Sequence, residues 1–348
     1  MIEIYAGKNA LKTIQENGFK QELFSSFLGA SGGPKWFILY QLDRFLFGEF
    51  FHHRTQALNL VGSSAGAFRA ACFAQHDPVA AIERLARHYS HTVYSAHATP
   101  DEITSKAKTL LTEVFGQQGI EQIVANPVFK AHFIVARAKG LTASDNKLLQ
   151  GVGLLSSYIL NRLDRKYLNW QYERIVYQAS SSQLTFSDPY QFATKRIPLT
   201  QQNLSQALLA SGSIPLVMQG VRNIAQSPKG MYRDGGIIDY HFDLEIENPG
   251  LVLYPHFNAT PKAGWFDKNL TRTVSSKSYD NVVLICPSQK MFDALPYRKI
   301  PDRKDFTEMS AEQRIPYWQS VLTETSRMAE DFADFVDKQD LDRIQSFS

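Results

Sequence analysis

An α/β fold with a mostly parallel sheet, covered by helices on both faces, is predicted by three features of the sequence. Short apolar runs alternate along the chain with stretches whose apolar residues keep helical spacing. The turns joining them are rich in glycine, serine and proline. The 348 residues, 44% apolar and 20% charged, have a globular balance and suffice for one large domain or two ordinary ones.

From Leu23 a strand-like run ends in a glycine-rich turn. A helix is expected from Pro34, with Ile38, Leu39, Leu42, Phe45 and Leu46 on one face. His52 and His53 follow it; neighbouring helical residues point apart, so they read as a helix end and not a metal site. Leu58 to Val61 reads as a buried strand, then Gly62-Ser63-Ser64-Ala65-Gly66, then a helix carrying Phe68, Cys72 and Phe73. Asp77-Pro78 caps a helix over Val79 to Tyr89, and Pro100-Asp101 opens another to about Phe115. Phe133 to Ala136 and Ile175 to Gln178 are strand-like, while Leu148 to Leu168 mixes Gly, Ser and apolar residues without a clear period. Leu204 to Ala210 forms a short helix that runs into the rigid turn Ser211-Gly212-Ser213-Ile214-Pro215. Asp234-Gly235-Gly236 has the composition of a hairpin turn. Leu251 to Tyr254 and Val282 to Cys286 are further strands, and Val321, Leu322, Met328, Ala329, Phe332 and Val336 mark one amphipathic C-terminal helix. Trp265, Phe266 and Trp318 are expected in the core rather than against a membrane.

Composition narrows the function classes. A net charge of +3 does not argue for nucleic acid, and the basic runs Arg162 to Lys166 and Arg298 to Lys304 are short enough for solvated loops. The first residues lack a signal-peptide pattern, and no window approaches eighteen uninterrupted apolar residues. Cys72 and Cys286 are far apart without metal-ligand spacing, so no metal is expected and a reducing, cytoplasmic setting fits. Gly29 to Trp36 narrowly misses a phosphate-binding loop. Pro34 stands where that loop needs a backbone N–H, and Trp36 where it needs a magnesium-binding hydroxyl.

The chemistry centres on Ser64. Strand, Gly-x-Ser-x-Gly, helix is the context of a nucleophile elbow: Gly62 and Gly66 remove bulk, and Ser64 meets the positive end of a helix. Gly32 and Gly33 are candidates for an oxyanion hole, since exposed N–H groups at a helix start suit a developing negative oxygen. Lys35 is unusual in a first helical turn; it either pins the loop by bonding backbone carbonyls or is merely solvated.

Taken in order, these motifs resemble those of the patatin-like phospholipases: Gly32-Gly33-Pro34-Lys35, then Gly62-Ser63-Ser64-Ala65-Gly66, then Asp234-Gly235-Gly236. Leu208 to Met218 is similar to the family's segment before its acid, and the resemblance spans about Phe24 to Phe242. It implies a three-layer α/β/α fold, with residues 1–250 as the acyl hydrolase domain and 251–348 packed on the same core. It implies a Ser-Asp dyad hydrolysing acyl esters of lipids, with Ser64 as nucleophile, Asp234 as base and Gly32 and Gly33 in the oxyanion hole. The chain departs from the family at Ala30-Ser31, at Trp36 and at Tyr240-His241-Phe242. No cofactor is implied. The expected partners are a lipid or other acyl ester and, transiently, a membrane surface, but no nucleic acid or nucleotide. Three other readings stay open: an acyltransferase using the same acyl-serine, an α/β-hydrolase with His241 or His256 as base, and a catalytically silent binding module.

Overall fold

The computed structural model describes residues 1–347. Its strands are β1 (Ile2–Ala6), β2 (Phe24–Gly29), β3 (Leu58–Ser63), β4 (Phe129–Ala138), β5 (Tyr172–Gln178), β6 (Phe186–Ser187), β7 (Thr194–Pro198), β8 (Val221–Arg222), β9 (Met231–Asp234), β10 (Glu245–Ile246), β11 (Leu251–Pro255), β12 (Val282–Pro287) and β13 (Ile344–Ser346). The main sheet runs β13-β1-β12-β11-β2-β3-β4-β5-β7. Its central pairs, β12-β11, β11-β2, β2-β3 and β3-β4, are all parallel. Antiparallel pairing enters on either side of that centre, at β1-β12 and β4-β5.

Every residue of β3, β11 and β12 is buried. A parallel sheet covered on both faces demands this, and it explains why these strands read as unbroken apolar runs. The covering helices are α1 (Lys8–Asn17), α2 (Tyr40–Phe45), α3 (Ala65–Phe73), α4 (Pro78–Ser90), α5 (Pro100–Phe115), α6 (Gly119–Ala125), α7 (Lys147–Leu163), α8 (Leu204–Ser211), α9 (Gln289–Ala294), α10 (Asp305–Glu308), α11 (Ala311–Glu324) and α12 (Ser326–Lys338). The result is the three-layer α/β/α architecture that the motifs implied. Strands β11 and β12 sit inside the sheet beside β2, so residues beyond 250 help build its interior. One large core runs from Ile2 to Ile344, and a smaller cluster around Tyr172, Ile237 and Ile238 takes the partly buried Trp265 and Phe266. Trp318 is fully buried.

Several expectations need correction. The helix expected from Pro34 is a 3₁₀ turn (Gly33–Leu39), then α2, then a π turn (Leu46–Phe50). Asp234-Gly235 is not a hairpin: β9 ends there in a short 3₁₀ turn, and the next strand, β10, pairs with β6 in a separate sheet. The C-terminal helix is two helices, α11 and α12, broken at Thr325. The Leu148 to Leu168 stretch is mostly the single helix α7. Arg165 is not in a solvated loop but buried against Asp267 at 3.1 Å, and within the second basic run only Arg298 and Lys304 are well exposed. No helix among the described residues is long and apolar enough to cross a membrane.

Candidate active site

Helix α3 leaves the sheet through a tight crossing. A Cβ on Gly66 would lie 1.7 Å from the carbonyl oxygen of Gly29, and one on Gly62 would lie 2.3 Å from that of Gly66. Only glycine allows strand and helix to approach this closely. Between them Ser64 holds φ 52°, ψ −125°, a strained turn of the kind that a nucleophile elbow requires. Its amide donates to Ser211 Oγ at 3.0 Å, which in turn donates to the Ile134 carbonyl at 2.7 Å. Beneath α3, Arg69 and Asp43 form a fully buried two-pronged ion pair at 2.7 and 2.6 Å. Removing either partner of such a pair typically costs about 3–5 kcal/mol.

Asp234 reaches Ser64 through sheet register. Strand β3 runs parallel to β4 and ends with Ser63 opposite Ile134. Strand β9 runs antiparallel to β4 along its remaining length and ends with Asp234 opposite Val135. The two strands therefore point at one another along β4, and their last residues meet. The Ser64 hydroxyl donates to Asp234 Oδ2 at 2.9 Å, and the Gly236 amide donates to Oδ1 at 2.7 Å. A Cβ on Gly235 would lie 2.0 Å from the Ile134 carbonyl oxygen, so glycine is needed for the acid turn to lie against β4. A Cβ on Gly236 would lie 2.7 Å from Ser31 Oγ. Burial pushes the Asp234 carboxyl above its ordinary value, while the Gly236 amide, the Ser64 hydroxyl and the charge of Arg303 pull the other way.

Some of the supporting residues were not singled out from sequence. The turn after α8 serves both partners: Ser211 holds the Ser64 amide, and the Ser213 carbonyl accepts from the Asp234 amide at 3.0 Å. Arg174 clamps Asp239 at 2.6 and 2.9 Å and fixes the far end of the acid turn. Ser211 and Ser213 lie inside the Leu208 to Met218 segment that shared in the resemblance, whereas no local pattern marked Arg174.

Gly32 and Gly33 take φ 152° and 57°, conformations that favour glycine. Among the described residues, no acceptor takes the amide of Gly32, Gly33 or Ala65. Three departures from the family pattern are accommodated nearby. Ser31 donates its amide to the Tyr240 carbonyl at 3.0 Å, its hydroxyl lies 2.7 Å from Ser63 Oγ, and Trp36 is buried. Among the described residues, no backbone carbonyl accepts from the Lys35 ammonium. It pairs with Asp302 at 3.3 Å and lies over the Phe257 ring, because the loop before α10 brings a carboxylate within reach.

His241 and His256 are packed edge to face, with ring centres 4.3 Å apart. The Lys262 amide donates to His241 Nδ1, and His256 Nδ1 contacts Asn258. Burial lowers both imidazoles, His256 to about 3, so they are neutral. Among the described residues, neither ring bonds to Ser64 or Asp234. His52 and His53 lie exposed at a helix end, and no cluster of metal ligands occurs among the described residues.

Gly33, Ser64 and Ala65 open onto a cavity of about 1080 Å³. Its lining is largely apolar, including Trp36, Phe68, Leu85, Leu110, Ile214 and Met218, with Arg303 contributing a cation. Such a space suits an extended apolar chain with one polar end.

Among solved structures the chain is similar to VipD from Legionella pneumophila, at 12% identity and a TM-score of 0.32, covering 69% of this chain and 51% of that one. It is also similar to human GIVD cytosolic phospholipase A2, at 10% identity and a TM-score of 0.41, covering 96% of this chain and 63% of that one. It thus spans less than two thirds of either chain. A comparison with curated proteins gives no match. A family model described as patatin-like phospholipase matches residues 50–241, which include the elbow and the acid turn but not Gly32 to Lys35. With more than half of its residues inside that match, the chain belongs to the patatin-like phospholipase family.

Proposed function

We propose that the protein is a serine hydrolase of lipid carboxylic esters, with Ser64 as nucleophile, Asp234 as general base, and Gly32 and Gly33 as oxyanion donors. One observation carries this reading: the Ser64 hydroxyl donates to the buried Asp234 carboxylate, and Ser64 itself lines a largely apolar cavity. Family membership supports lipid acyl esters as the substrate class.

Asp234 takes the proton as Ser64 Oγ attacks the ester carbonyl, and the free amides of Gly32, Gly33 and Ala65 hold the oxyanion. Collapse breaks the ester C–O bond, and the protonated Asp234 gives its proton to the leaving alcohol. Water then attacks the acyl-serine, Asp234 accepts its proton, and the fatty acid departs with Ser64 restored. The proposal is tested with a fluorophosphonate probe, followed by mapping of the labelled peptide and a screen of acyl esters of graded length. Labelling at Ser64 with hydrolysis of long-chain esters is expected. Labelling at Ser63 or elsewhere would overturn it.

Two smaller effects probe the surroundings. A Cβ at Gly33 would meet nothing closer than Tyr89 Oη at 3.5 Å, so Gly33→Ala has room and costs only the roughly 1–2 kcal/mol of a left-handed backbone. Relaxing that strain turns the amide away, so turnover should fall about a hundredfold, the scale of one lost oxyanion donor. Full activity in a folded variant would remove this turn from the site. His241→Ala and His256→Ala each leave a buried cavity and should lower the melting temperature. Activity of the folded variants should stay within about tenfold, because neither imidazole accepts the proton. Abolished hydrolysis in either folded variant would favour a triad.

A further inference from the structure

Helix α7 is turned inside out. Its buried positions, Gln150, Gly153, Ser157 and Asn161, recur at helical spacing and are polar or small. Its outer face carries Leu148 (82% exposed), Val152 (55%), Leu155 (60%), Ile159 (52%) and Leu163 (71%). A helix on a globular surface normally does the reverse. The apolar residues keep helical spacing, but the Gln, Gly, Ser and Asn of the opposite face are what the body takes in. The arrangement is held firmly. Asn146 accepts from the amides of Leu148 and Leu149 at the start of the helix. Gln150 donates to the Ser144 carbonyl at 3.0 Å, Ser157 to Gln171 at 2.7 Å and Asn161 to Asp267 at 2.8 Å. A Cβ on Gly153 would lie 2.7 Å from the Thr142 nitrogen, so the helix is pressed against the chain there. Polar bonds fix α7 to the body and leave its apolar side unpartnered, a contiguous patch of the kind that marks an interaction surface.

We propose that this face docks on the surface of an anionic lipid bilayer. Three observations select that occupant. The first is charge: α7 contains no acidic residue, Lys147 and Arg162 stand at its ends, and Lys139 and Lys166 flank it in sequence. The nearest carboxylates in sequence, Asp145 and Asp164, are paired with Arg222 and Lys166. Apolar side chains flanked by cations suit the boundary between acyl chains and anionic head groups. A second copy of the chain fits less well, since two-fold antiparallel pairing of α7 would set Lys147 against Arg162 with no carboxylate on the helix to answer.

The second observation is continuity with the cavity. The exposed Leu216 donates its amide to Gln150 Oε1 at 2.7 Å, and its neighbours Ile214, Val217 and Met218 line the cavity that opens on Ser64. The third is aromatic. Trp170, exposed on the turn after α7, stacks on Tyr167 at 5.0 Å, and such rings favour membrane–water boundaries. With 17 residues, α7 would lie in the interface and not span it.

This inference rests on the lipid-hydrolase reading for its purpose, but its test needs no turnover. Wild-type and Ser64→Ala chains are sedimented with vesicles of phosphatidylcholine containing phosphatidylglycerol, and with phosphatidylcholine alone. Both chains should bind the anionic vesicles, more weakly as salt rises. The double change Leu155→Glu with Ile159→Glu should reduce partitioning at least about tenfold with unchanged circular dichroism, because both side chains are already exposed. Leu155→Met with Ile159→Met should retain binding. Equal binding by the charged variant, or no binding by the parent, overturns the proposal. In the latter case, a dimer seen by light scattering and dissociated by the charged variant would assign the face to a second copy. Loss of probe labelling with binding intact would count against the hydrolase reading alone.

Discussion

Ser64→Ala is expected to abolish ester hydrolysis and fluorophosphonate labelling, a loss of about 10⁴-fold or more. The fold should be unaffected. The hydroxyl is the only group removed, while the amide that binds Ser211 Oγ and the backbone crossing at Gly29 and Gly66 remain. Alanine has the same Cβ as serine, so the strained turn becomes no worse. Asp234 loses the hydroxyl as a hydrogen-bond donor but keeps the Gly236 amide. Circular dichroism and melting temperature should therefore match the parent within experimental error. Residual turnover above about one per cent in a folded variant would mean that another group carries the acyl chain.

Asp234→Asn should lower kcat/KM by about 10⁴-fold, comparable to losing the correct proton acceptor in other serine hydrolases. The substitution is nearly isosteric. The amide oxygen can still accept from Gly236, but its NH₂ group can only donate toward Ser64 and takes no proton. The parent enzyme should reveal the same carboxylate through pH. In the proposed mechanism ionised Asp234 is the active form, so activity should be present above its pKa and lost as pH falls through it. Because burial raises that pKa, the acid limb of kcat/KM should lie at higher pH than an ordinary aspartate near 3.9 would give. A limb at or below that value, or substantial activity in the asparagine variant, would rule out Asp234 as base.

Much of the scaffold could be read from local pattern. The buried strands β3, β11 and β12 are uninterrupted apolar runs because both faces of the sheet are covered. Helices α4 and α5 begin where Asp77-Pro78 and Pro100-Asp101 signal a start, the second with Thr99 as its cap. Misreadings arose where tertiary contacts override local preference. The Asp-Gly signal made a hairpin plausible, but β9 is committed to β4 and leaves no partner strand after the turn. Arg165 belongs to a basic run that looks solvated, yet Asp267, a hundred residues away, draws it into the interior.

Local pattern sufficed for the chemical groups: a serine at a strand-to-helix turn, glycines where strand and helix must touch, and an aspartate followed by two glycines. These are local requirements of backbone conformation and close approach, so they leave a local signature. Whether that serine and that aspartate could meet was decided only by the tertiary structure. Ser64 and Asp234 are 170 residues apart, and they meet because strands β3 and β9 end head to head on β4, opposite Ile134 and Val135. The outward apolar face of α7 is also a tertiary fact. An amphipathic period states that two faces differ, but which face turns inward depends on the hydrogen-bond partners that Gln171 and Asp267 bring from elsewhere in the chain.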